Sequence, residues 1–443
     1  MTRASLRRLL DGLQSSYWFT PLIMSLLGLL LAELFFRLDS RIPAAQVYSV
    51  EFVYGGDAEG ARAMLLALAG TILATAGVVF SVLTVPFSLA ASQFGSRLLR
   101  LFLRDRTIQY VLGMFVGTFV YLLSVALKIP PPSATPPTPY LSASVGLYLS
   151  LACFGSLIVL IHHIGVALQA PNMAAEASSE LQRVIKSAIP ISQRLSLLEP
   201  NPEDEKVAQR IEREGFPIYA ENLGYIQALD TELILPIAQK NNLVMRLARK
   251  PGHFVMPGEL VAFVWPPQRV NASIAANIRD SYQVGRSRTP TQDMEYGINQ
   301  LVEMAVRAMS PAINDPYTAM TCLDYIGAGL SLYAAKVEPH SNLYDRDNSL
   351  RLIVDPQSFA DLLDAAFNLI RRASRENPDV LLRLLDAIGE IGKESAPHRR
   401  VELLRHVNLV ADENRANSAI AWDKERVQRR CAELATQLAA PGT

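Results

Sequence analysis

The densest group of polar side chains in the sequence lies between residues 286 and 324. It mixes arginines with carboxylate, amide and hydroxyl groups: Arg286, Arg288, Thr289, Gln292, Asp293, Glu303, Arg307, Asn314, Asp315 and Asp324. Such a group could bind an anion through its arginines, or a metal through its carboxylates. The candidate ligand site taken from it comprises Arg288, Asp293, Glu303, Arg307, Asn314 and Asp315. The simpler interpretation is a helix hairpin, because helix caps and surface ion pairs use the same residue types.

A second candidate set recurs at spacings of three and four along residues 63–91. Every member is small, and three carry hydroxyl groups: Ala63, Ala67, Gly70, Ala74, Gly77, Ser81, Thr84, Ser88 and Ala91. This spacing places them on one stripe of a helix, called the small-residue stripe below. The stripe fits close helix packing, for which small residues are typical. Alternatively, one stripe per subunit of an oligomer could line a pore, where hydroxyl oxygens replace part of the hydration of an ion.

The candidate pore-lining or helix-packing residues are therefore Gly70, Ala74, Gly77, Ser81, Thr84 and Ser88. A basic segment follows them directly. It carries four arginines against one aspartate: Arg97, Arg100, Arg104 and Arg106. These arginines could attract anions to the mouth of a pore. The simpler interpretation is that they bind anionic lipid headgroups.

Motifs of enzymatic or metal chemistry are missing from the sequence. It contains no glycine-rich phosphate loop, no His-x-x-x-His pair and no Gly-x-Ser-x-Gly elbow. The three cysteines lie far apart, and the adjacent His162 and His163 would point about 100° apart on a helix. We therefore expect no enzyme, no metal and no cofactor. The 42 basic residues balance 42 acidic ones, so net charge gives no indication of a nucleic-acid partner.

The elements that must position these residues begin with four long apolar segments. They cover residues 17–36, 63–91, 110–127 and 140–167, and each is about long enough to cross a bilayer, which takes roughly 20 residues. Gly113 and Gly117 have the spacing that lets two helices approach closely. Glu33 and Arg37 are spaced as an ion pair one helical turn apart. Residues 1–170 are thus predicted to form a transmembrane domain.

The arginines also predict the orientation of these spans. Basic residues favour the cytoplasmic side of a membrane. They are concentrated before the first span, at Arg3, Arg7 and Arg8, and in the basic segment after the second. The loops 38–62 and 128–139 carry no such excess. The prediction is a multi-pass protein of the cell inner membrane with both termini in the cytoplasm.

The second half of the chain has a mixed pattern. Residues 171–215 are predicted as a helical stalk, 216–270 as a small β module, and 271–443 as a helical domain. The predicted fold class is a membrane α-helical protein with four transmembrane helices, plus a cytoplasmic α+β part made of the small β module and a helical bundle. Asn314 or Asp315 is expected to be an N-cap, with Pro316 in the first turn of the following helix.

Four segments together resemble a known family. They are Phe80–Arg97 (FSVLTVPFSLAASQFGSR), Leu103–Arg106, Leu112–Tyr121 and Ser310–Ala319 (SPAINDPYTA). They are similar to the bacterial predicted membrane protein family known as domain of unknown function 2254, over about residues 15–430. The resemblance implies a bacterial membrane protein and adds no chemistry.

The sequence leaves two functional hypotheses. The first is an oligomeric ion channel or small-solute conduit lined by the second transmembrane helix. The second is a membrane-anchored sensor or scaffold whose cytoplasmic half binds a ligand or a protein partner. In both, the expected partners are the lipid bilayer and further copies of the chain, and the first adds an ion or small solute.

Overall fold

Two compact units divide the chain between Asn172 and Met173. The computed structural model describes residues 18–41, 53–94, 105–129, 139–195, 202–335, 341–345 and 347–440. Arg97, Arg100 and Arg104 of the basic segment lie outside the described residues, as do Arg3, Arg7 and Arg8. The units are described separately below.

Unit 1, residues 1–172, contains four long helices. They are α1 (Phe19–Asp39), α2 (Ala58–Phe94), α3 (Arg106–Lys128) and α4 (Tyr140–Ala167). Each has an 18-residue window of mean hydropathy between 2.0 and 2.2 and is long enough to cross a membrane. The four predicted apolar segments are therefore four helices, each a candidate membrane span.

Helix α3 lies at the centre of unit 1 because small residues let its neighbours approach. A Cβ built on Gly113 would lie 2.7 Å from the Sδ of Met24 in α1, and one on Gly117 would lie 2.7 Å from the Met24 carbonyl oxygen. The predicted close approach at these two glycines is confirmed. On its other side, α3 packs against α2 and α4, where Phe115 and Leu122 are buried. In lipid there is no hydrophobic driving force between helices, so the close van der Waals contact at these glycines is what favours the packing of α1 on α3.

Unit 2, residues 173–443, contains ten helices in the part of the chain that the structure describes, counting the one that begins just before the unit boundary. They are α5 (Ala170–Leu195), α6 (Pro202–Glu214), α7 (Thr231–Lys240), α8 (Ala272–Asp280), α9 (Met294–Ala308), α10 (Pro316–Ala334), α11 (Phe359–Ala373), α12 (Pro378–Glu394), α13 (Arg400–Asn417) and α14 (Ala421–Ala439). Helix α5 falls in the predicted stalk. Its Leu181 is buried where Gly297 of α9 and Gly329 of α10 leave room for it.

Two sheets complete unit 2. Their strands are β1 (Phe216–Tyr219), β2 (Gly224–Leu229), β3 (Val244–Leu247), β4 (Phe254–Val255), β5 (Leu260–Trp265), β6 (Tyr282–Gly285), β7 (Asn342–Tyr344) and β8 (Leu350–Ile353). A five-stranded sheet has the order β1-β5-β3-β8-β7, and a three-stranded sheet has the order β4-β2-β6. They share one core, in which Ile226, Met245 and Val264 are fully or almost fully buried.

The sheets extend beyond the predicted β module of 216–270. Strands β6, β7 and β8 come from the segment predicted to be a helical domain. Strand β8 pairs in parallel with β3, so that Met245 faces Leu352. Strands of three or four residues show too little alternation to be recognised locally, and a distant partner determines them.

Caps define the helices of this unit much as their sequences indicate. Asp315 accepts a hydrogen bond from the Thr318 backbone N–H at 3.1 Å, and Pro316 is the first residue of α10. Asn314 precedes it with a positive φ of 50°. Of the two predicted N-caps, Asp315 is the one used, because Asn314 occupies the left-handed turn that an Asn tolerates.

Candidate functional site

The small-residue stripe of α2 faces away from the rest of unit 1. All its members from Ala63 to Ser88 are exposed, while Leu65, Ile72 and Val79 of the same helix are buried. At 3.6 residues per turn, the centres of the two faces are roughly 150° apart. The structure therefore brings Gly70, Ala74, Gly77, Ser81, Thr84 and Ser88 onto one continuous outer surface.

No other helix in the described part of unit 1 uses this stripe for packing. A Cβ built on Gly70 or Gly77 would have no heavy atom within 4 Å. The same test at Gly117 meets the α1 backbone at 2.7 Å. Packing within the described chain thus accounts for the glycines of α1 and α3 and leaves the stripe of α2 unexplained.

Bulkier side chains border the stripe. Leu73 and Phe80 lie on one flank, Val78 and Val85 lie on the other, and all four are at least half exposed. The stripe is therefore a shallow groove between two apolar ridges, a shape that a neighbouring helix or a chain of small polar species can occupy.

The hydroxyl group of Thr84 is oriented by its own helix. Its Oγ1 donates a hydrogen bond to the Phe80 carbonyl oxygen at 2.9 Å. A hydroxyl group has one proton and two lone pairs, so this bond leaves the oxygen able to accept. The exposed surface of α2 consequently presents an acceptor at this position.

The interior of unit 1 is filled by large side chains. Leu65, Ile72, Phe115, Tyr121 and Leu122 are each at most 1% exposed. The Tyr121 hydroxyl donates to the Ser142 carbonyl oxygen at 2.9 Å, which satisfies the buried phenol. Side chains packed this closely fill the space between the four helices at these levels.

Charged residues hold one end of the helical unit together. Asp39, the last residue of α1, accepts hydrogen bonds from the backbone N–H groups of Leu141 at 2.8 Å and Ser142 at 2.9 Å. The Ser142 hydroxyl adds a third at 2.6 Å. A carboxylate at the start of α4 satisfies its free N–H groups and its positive dipole end. The sequence does not indicate this role, since Asp39 is distant from residue 140 along the chain.

Close to the same end, Glu33 is paired twice. Its carboxylate accepts hydrogen bonds from Arg37, one turn along α1, and from Lys128 at the end of α3. The predicted Glu33–Arg37 pair is confirmed. Lys128 also lies over the ring of Phe36, 5.4 Å from its centroid.

The opposite ends of α3 and α4 are joined by Asp105 and His163. Asp105 caps α3 through the Thr107 N–H at 2.8 Å, and its second oxygen lies 2.6 Å from Nε2 of His163. Arg106 is exposed at the first residue of α3. It is the member of the basic segment that the structure describes.

The polar candidates of unit 2 do not converge on one site. Arg288 and Asp293 form a bidentate ion pair at 2.7 and 2.9 Å, with Asp293 only 1% exposed and capping α9. Glu303 and Arg307 pair with each other along α9. Asn314 and Asp315 form the turn and cap after that helix. The structure thus uses these six residues in three separate places.

The Arg288–Asp293 pair supports a turn of the sheet. Gly252, with a φ of +94°, leaves no room for a side chain, because a Cβ there would lie 2.5 Å from Oδ2 of Asp293. Beside it, burial and the ammonium group of Lys250 lower the pKa of His253. Among the described residues, no group of three or more His, Cys, Asp or Glu side chains could hold a metal ion.

Four apolar helices in one unit, and a mixed unit of helices and two sheets in the other, define the class of multi-pass helical membrane proteins. Residues 14–390 match the family model described as "Predicted membrane protein (DUF2254)". The chain therefore belongs to this family, which confirms the resemblance.

Relatives with similar sequences occur in mycobacteria. The chain is 27% identical over 447 residues to "Uncharacterized protein Mb1321c" of Mycobacterium bovis, covering 99% of this chain and 83% of that protein. The same identity and coverage hold for "Uncharacterized protein Rv1290c" of Mycobacterium tuberculosis. No solved structure matches the chain significantly.

Proposed function

We propose that the chain is one protomer of an oligomeric conduit, in which α2 lines a path for an ion or a small polar solute across the inner membrane. The observation that carries the proposal is the exposure of the whole small-residue stripe from Ala63 to Ser88. A path needs a surface of small side chains with some polar atoms, and the stripe supplies both.

The path would lie between copies of the chain. Tyr121, Phe115 and Leu122 fill the interior of the helical unit, which argues against a route through one protomer. If α2 of each copy faced a common axis, Ser81, Thr84 and Ser88 would form successive rings of hydroxyl groups. The outward lone pairs of Thr84 could replace water around the permeant species.

The orientation and the lipid contacts also belong to the proposal. Arg3, Arg7, Arg8 and the basic segment favour a cytoplasmic position for both termini. Unit 2 would then be cytoplasmic. Arg97, Arg100, Arg104 and Arg106 would either bind anionic headgroups or attract anions at the cytoplasmic mouth. The proposal assigns the chain no enzymatic reaction.

The test is flux through purified full-length protein in liposomes. The wild type should release an entrapped ion or small polar dye, and Ser81→Leu or Thr84→Leu should reduce the rate at least tenfold by filling the stripe. Val78→Leu is the matched control, because Val78 is exposed on the same helix at the flank of the stripe. It should keep the wild-type rate.

Two results would decide against the proposal. If wild-type liposomes released nothing across a panel of cations, anions and uncharged solutes, the conduit itself would be excluded. If Ser81→Leu and Val78→Leu conducted equally well, α2 would not line the path. A chain that remains monomeric in lipid nanodiscs by mass photometry would contradict the arrangement between copies.

A second candidate function is a membrane-anchored sensor or scaffold that binds a partner through unit 2. It is favoured by an exposed apolar surface on the three-stranded sheet, where Leu223, Phe254 and Met256 are 63%, 48% and 57% exposed. Tyr225 and Phe254 pack edge to face there, with ring centroids 5.0 Å apart. Exposed apolar groups that cluster in this way are typical of binding surfaces.

Photo-cross-linking in cell membranes tests this second function. A cross-linking amino acid at position 256 of the full chain should give one defined adduct, and Phe254→Ser should remove it. A cross-linker at Leu369, which is exposed on α11, is the control. Equal adduct patterns from both positions would count against a specific partner.

A further inference from the structure

Helices α10 and α12 of unit 2 lie side by side and run in the same direction. The Arg383 guanidinium donates to the Asp324 carboxylate at 2.7 Å. Three residues further along α10, a Cβ built on Gly327 would lie 3.2 Å from the Cβ of Ala387. Contacting positions thus increase together along both helices. The first residues of α10 and α12 are therefore at the same end of this pair.

Helix α14 follows the same direction beside α12. Arg426, near the start of α14, pairs with Asp379 in the first turn of α12 at 3.4 Å. Further along both helices, a Cβ built on Gly389 would lie 3.0 Å from the Cδ2 of Leu434. The α9–α10 turn and the α13–α14 turn therefore lie at one end of the three helices. With about 8–10 Å between the axes of packed helices, the axes of α10 and α14 are at most about 20 Å apart.

Both turns expose large apolar side chains. Ile313 and Tyr317 are 44% and 78% exposed at the first turn, and Ile420 and Trp422 are 62% and 63% exposed at the second. These four residues are called the apolar end below. Exposed apolar groups that share one end of a unit indicate a surface that contacts something other than water.

Charged side chains around the apolar end are paired with one another. The Arg426 guanidinium lies over the ring of Trp422, 4.4 Å from its centroid, and also pairs with Asp379. Arg415 pairs with Asp412 along the last turns of α13. Because positive and negative charges balance in these pairs, electrostatic attraction does not account for the exposed side chains. The contact that they favour is apolar.

The chain itself holds an apolar surface close to this end. Unit 2 begins at Met173, and the last candidate membrane span ends at Ala167. A group tethered this closely meets a bilayer at a high effective concentration, so weak contacts suffice to dock it. Tryptophan and tyrosine rings are enriched at membrane–water interfaces, because they combine an apolar body with a polar tip. A lipid bilayer therefore fits the composition of the apolar end.

Helix lengths allow the apolar end to reach that bilayer. Helix α5 begins at Ala170, and a Cβ built on Gly329 of α10 would lie 2.9 Å from its buried Leu181. At 1.5 Å per residue, about 17 Å of helix separates Ala170 from Leu181, and about 20 Å separates Gly329 from Pro316. Because the two lengths are similar, the start of α10 can lie at the level of Ala170.

We propose that the apolar end docks onto the lipid bilayer that unit 1 crosses, with Ile313 and Ile420 among the outer acyl carbons and the rings of Tyr317 and Trp422 at the headgroups. Unit 2 is then held at the membrane twice, by the chain that leads into it and by this contact. The proposal does not depend on the conduit, since it requires a bilayer but neither an oligomer nor a path.

Quenching of tryptophan fluorescence by lipid tests the docking. The chain has three tryptophans, and Trp18→Phe with Trp265→Phe leaves Trp422 as the single one. The full chain with both changes is placed in phosphatidylcholine nanodiscs, either unbrominated or brominated on the acyl chains near the headgroup. Bromine quenches an indole ring only at close range. Trp422 emission should therefore be at least twofold weaker in the brominated nanodiscs.

Val401 provides a matched control at the other end of α10. It is 66% exposed in the first turn of α13, close to Arg399, which donates to the carbonyl oxygen of Ala334 at the end of α10 at 3.1 Å. Val401→Trp, in a chain whose native tryptophans are all replaced by Phe, should be equally bright in both nanodiscs.

Three results would overturn the proposal. Trp422 could be equally bright in both nanodiscs, or the tryptophan at position 401 could be quenched as strongly as Trp422. A blue-shifted Trp422 emission without quenching would also decide against lipid, because it would show that protein, such as a second copy of the chain, covers the apolar end.

A pair of double variants tests whether the two turns dock together. Ile313→Ser with Tyr317→Ser should weaken the quenching of Trp422 at least twofold, because it removes the other half of the apolar end. Leu223→Ser with Phe254→Ser changes exposed apolar residues of the three-stranded sheet and should leave the quenching unchanged. The thermal midpoint shows that each variant is folded. Unchanged quenching in a folded Ile313→Ser, Tyr317→Ser protein would refute docking by both turns.

Discussion

Gly117 of α3 and Met24 of α1 meet backbone to backbone: a Cβ on Gly117 would lie 2.7 Å from the Met24 carbonyl oxygen. Replacing Gly117 by Ala should therefore force the two helices apart and cost about 1–3 kcal/mol, as overpacking commonly does. The measurement is thermal unfolding in nanodiscs. Gly155→Ala on α4 is the control, because a Cβ there would meet no heavy atom within 4 Å. Equal losses in the two variants would show that the close approach is not what stabilises α1 on α3.

Asp39 supplies a second prediction for the helical unit. Asp39→Ala removes three hydrogen bonds to Leu141 and Ser142 and leaves the start of α4 uncapped, which should cost about 1–2 kcal/mol. Glu59→Ala removes an exposed carboxylate from the first turn of α2 and should cost less than about 0.5 kcal/mol. The thermal unfolding midpoints of the two variants, measured in the same lipid without urea, allow the comparison. A wild-type midpoint for Asp39→Ala would contradict the cap.

Gly252 and Gly258 form a matched pair in unit 2. Both have a positive φ, +94° and +85°, which an L side chain adopts only with strain of about 1 kcal/mol. Only Gly252 also abuts the Arg288–Asp293 ion pair. Gly252→Ala should thus lose clearly more stability than Gly258→Ala, and the difference measures the contact with Asp293. Equal unfolding temperatures for the two variants would show that the Arg288–Asp293 pair can shift to admit the new Cβ without loss of stability.

His406 predicts how the stability of unit 2 depends on pH. Burial, with the nearby Arg405 guanidinium, lowers the pKa of His406 to about 4, below the 6.5 of a free imidazole. At this group the folded protein then binds fewer protons than the unfolded chain, so the contribution of His406 to stability falls as pH drops from about 6.5 to about 4 and is constant outside that window. The full loss corresponds to about 3 kcal/mol at 1.36 kcal/mol per pKa unit.

The check is the unfolding midpoint of the full chain at a series of pH values. His406→Gln should flatten the decline between pH 6.5 and 4, although Gln loses some packing against Phe367, whose ring centroid lies 5.6 Å from that of the imidazole. His398→Gln is the control because His398 is exposed. A decline that persists unchanged in His406→Gln would assign the pH dependence to other groups.

Most helices of this protein can be predicted from its sequence, but several of the contacts between them cannot. The four spans follow from long apolar runs, and the pairing of Glu33 with Arg37 follows from their spacing one turn apart. The close approach at Gly113 and Gly117 follows from small residues at adjacent turns. Each of these features depends on neighbours within a few residues, where sequence patterns are informative.

Features made by residues that are distant along the chain could not be predicted from the sequence. The cap of α4 by Asp39 joins residues about 100 positions apart, and β8 becomes a strand only beside β3. The candidate ligand cluster of 286–324 shows the opposite case. Its members are close in sequence, yet α9 separates Arg288 and Asp293 from Asn314 and Asp315. Proximity along the chain does not place side chains around a common point when a helix of 15 residues intervenes.

The position of β8 inside the five-stranded sheet also has a consequence for biosynthesis. Strand β3 pairs with β8 along one edge, and the partner residues in β8 follow those in β3 by more than a hundred positions in the sequence. During synthesis, this edge of β3 remains unpaired after the four apolar helices have left the ribosome. An unpaired strand edge can pair with other chains. Ribosomes that stall between residues 265 and 350 should therefore yield nascent chains whose helical unit is complete but whose sheet needs a chaperone.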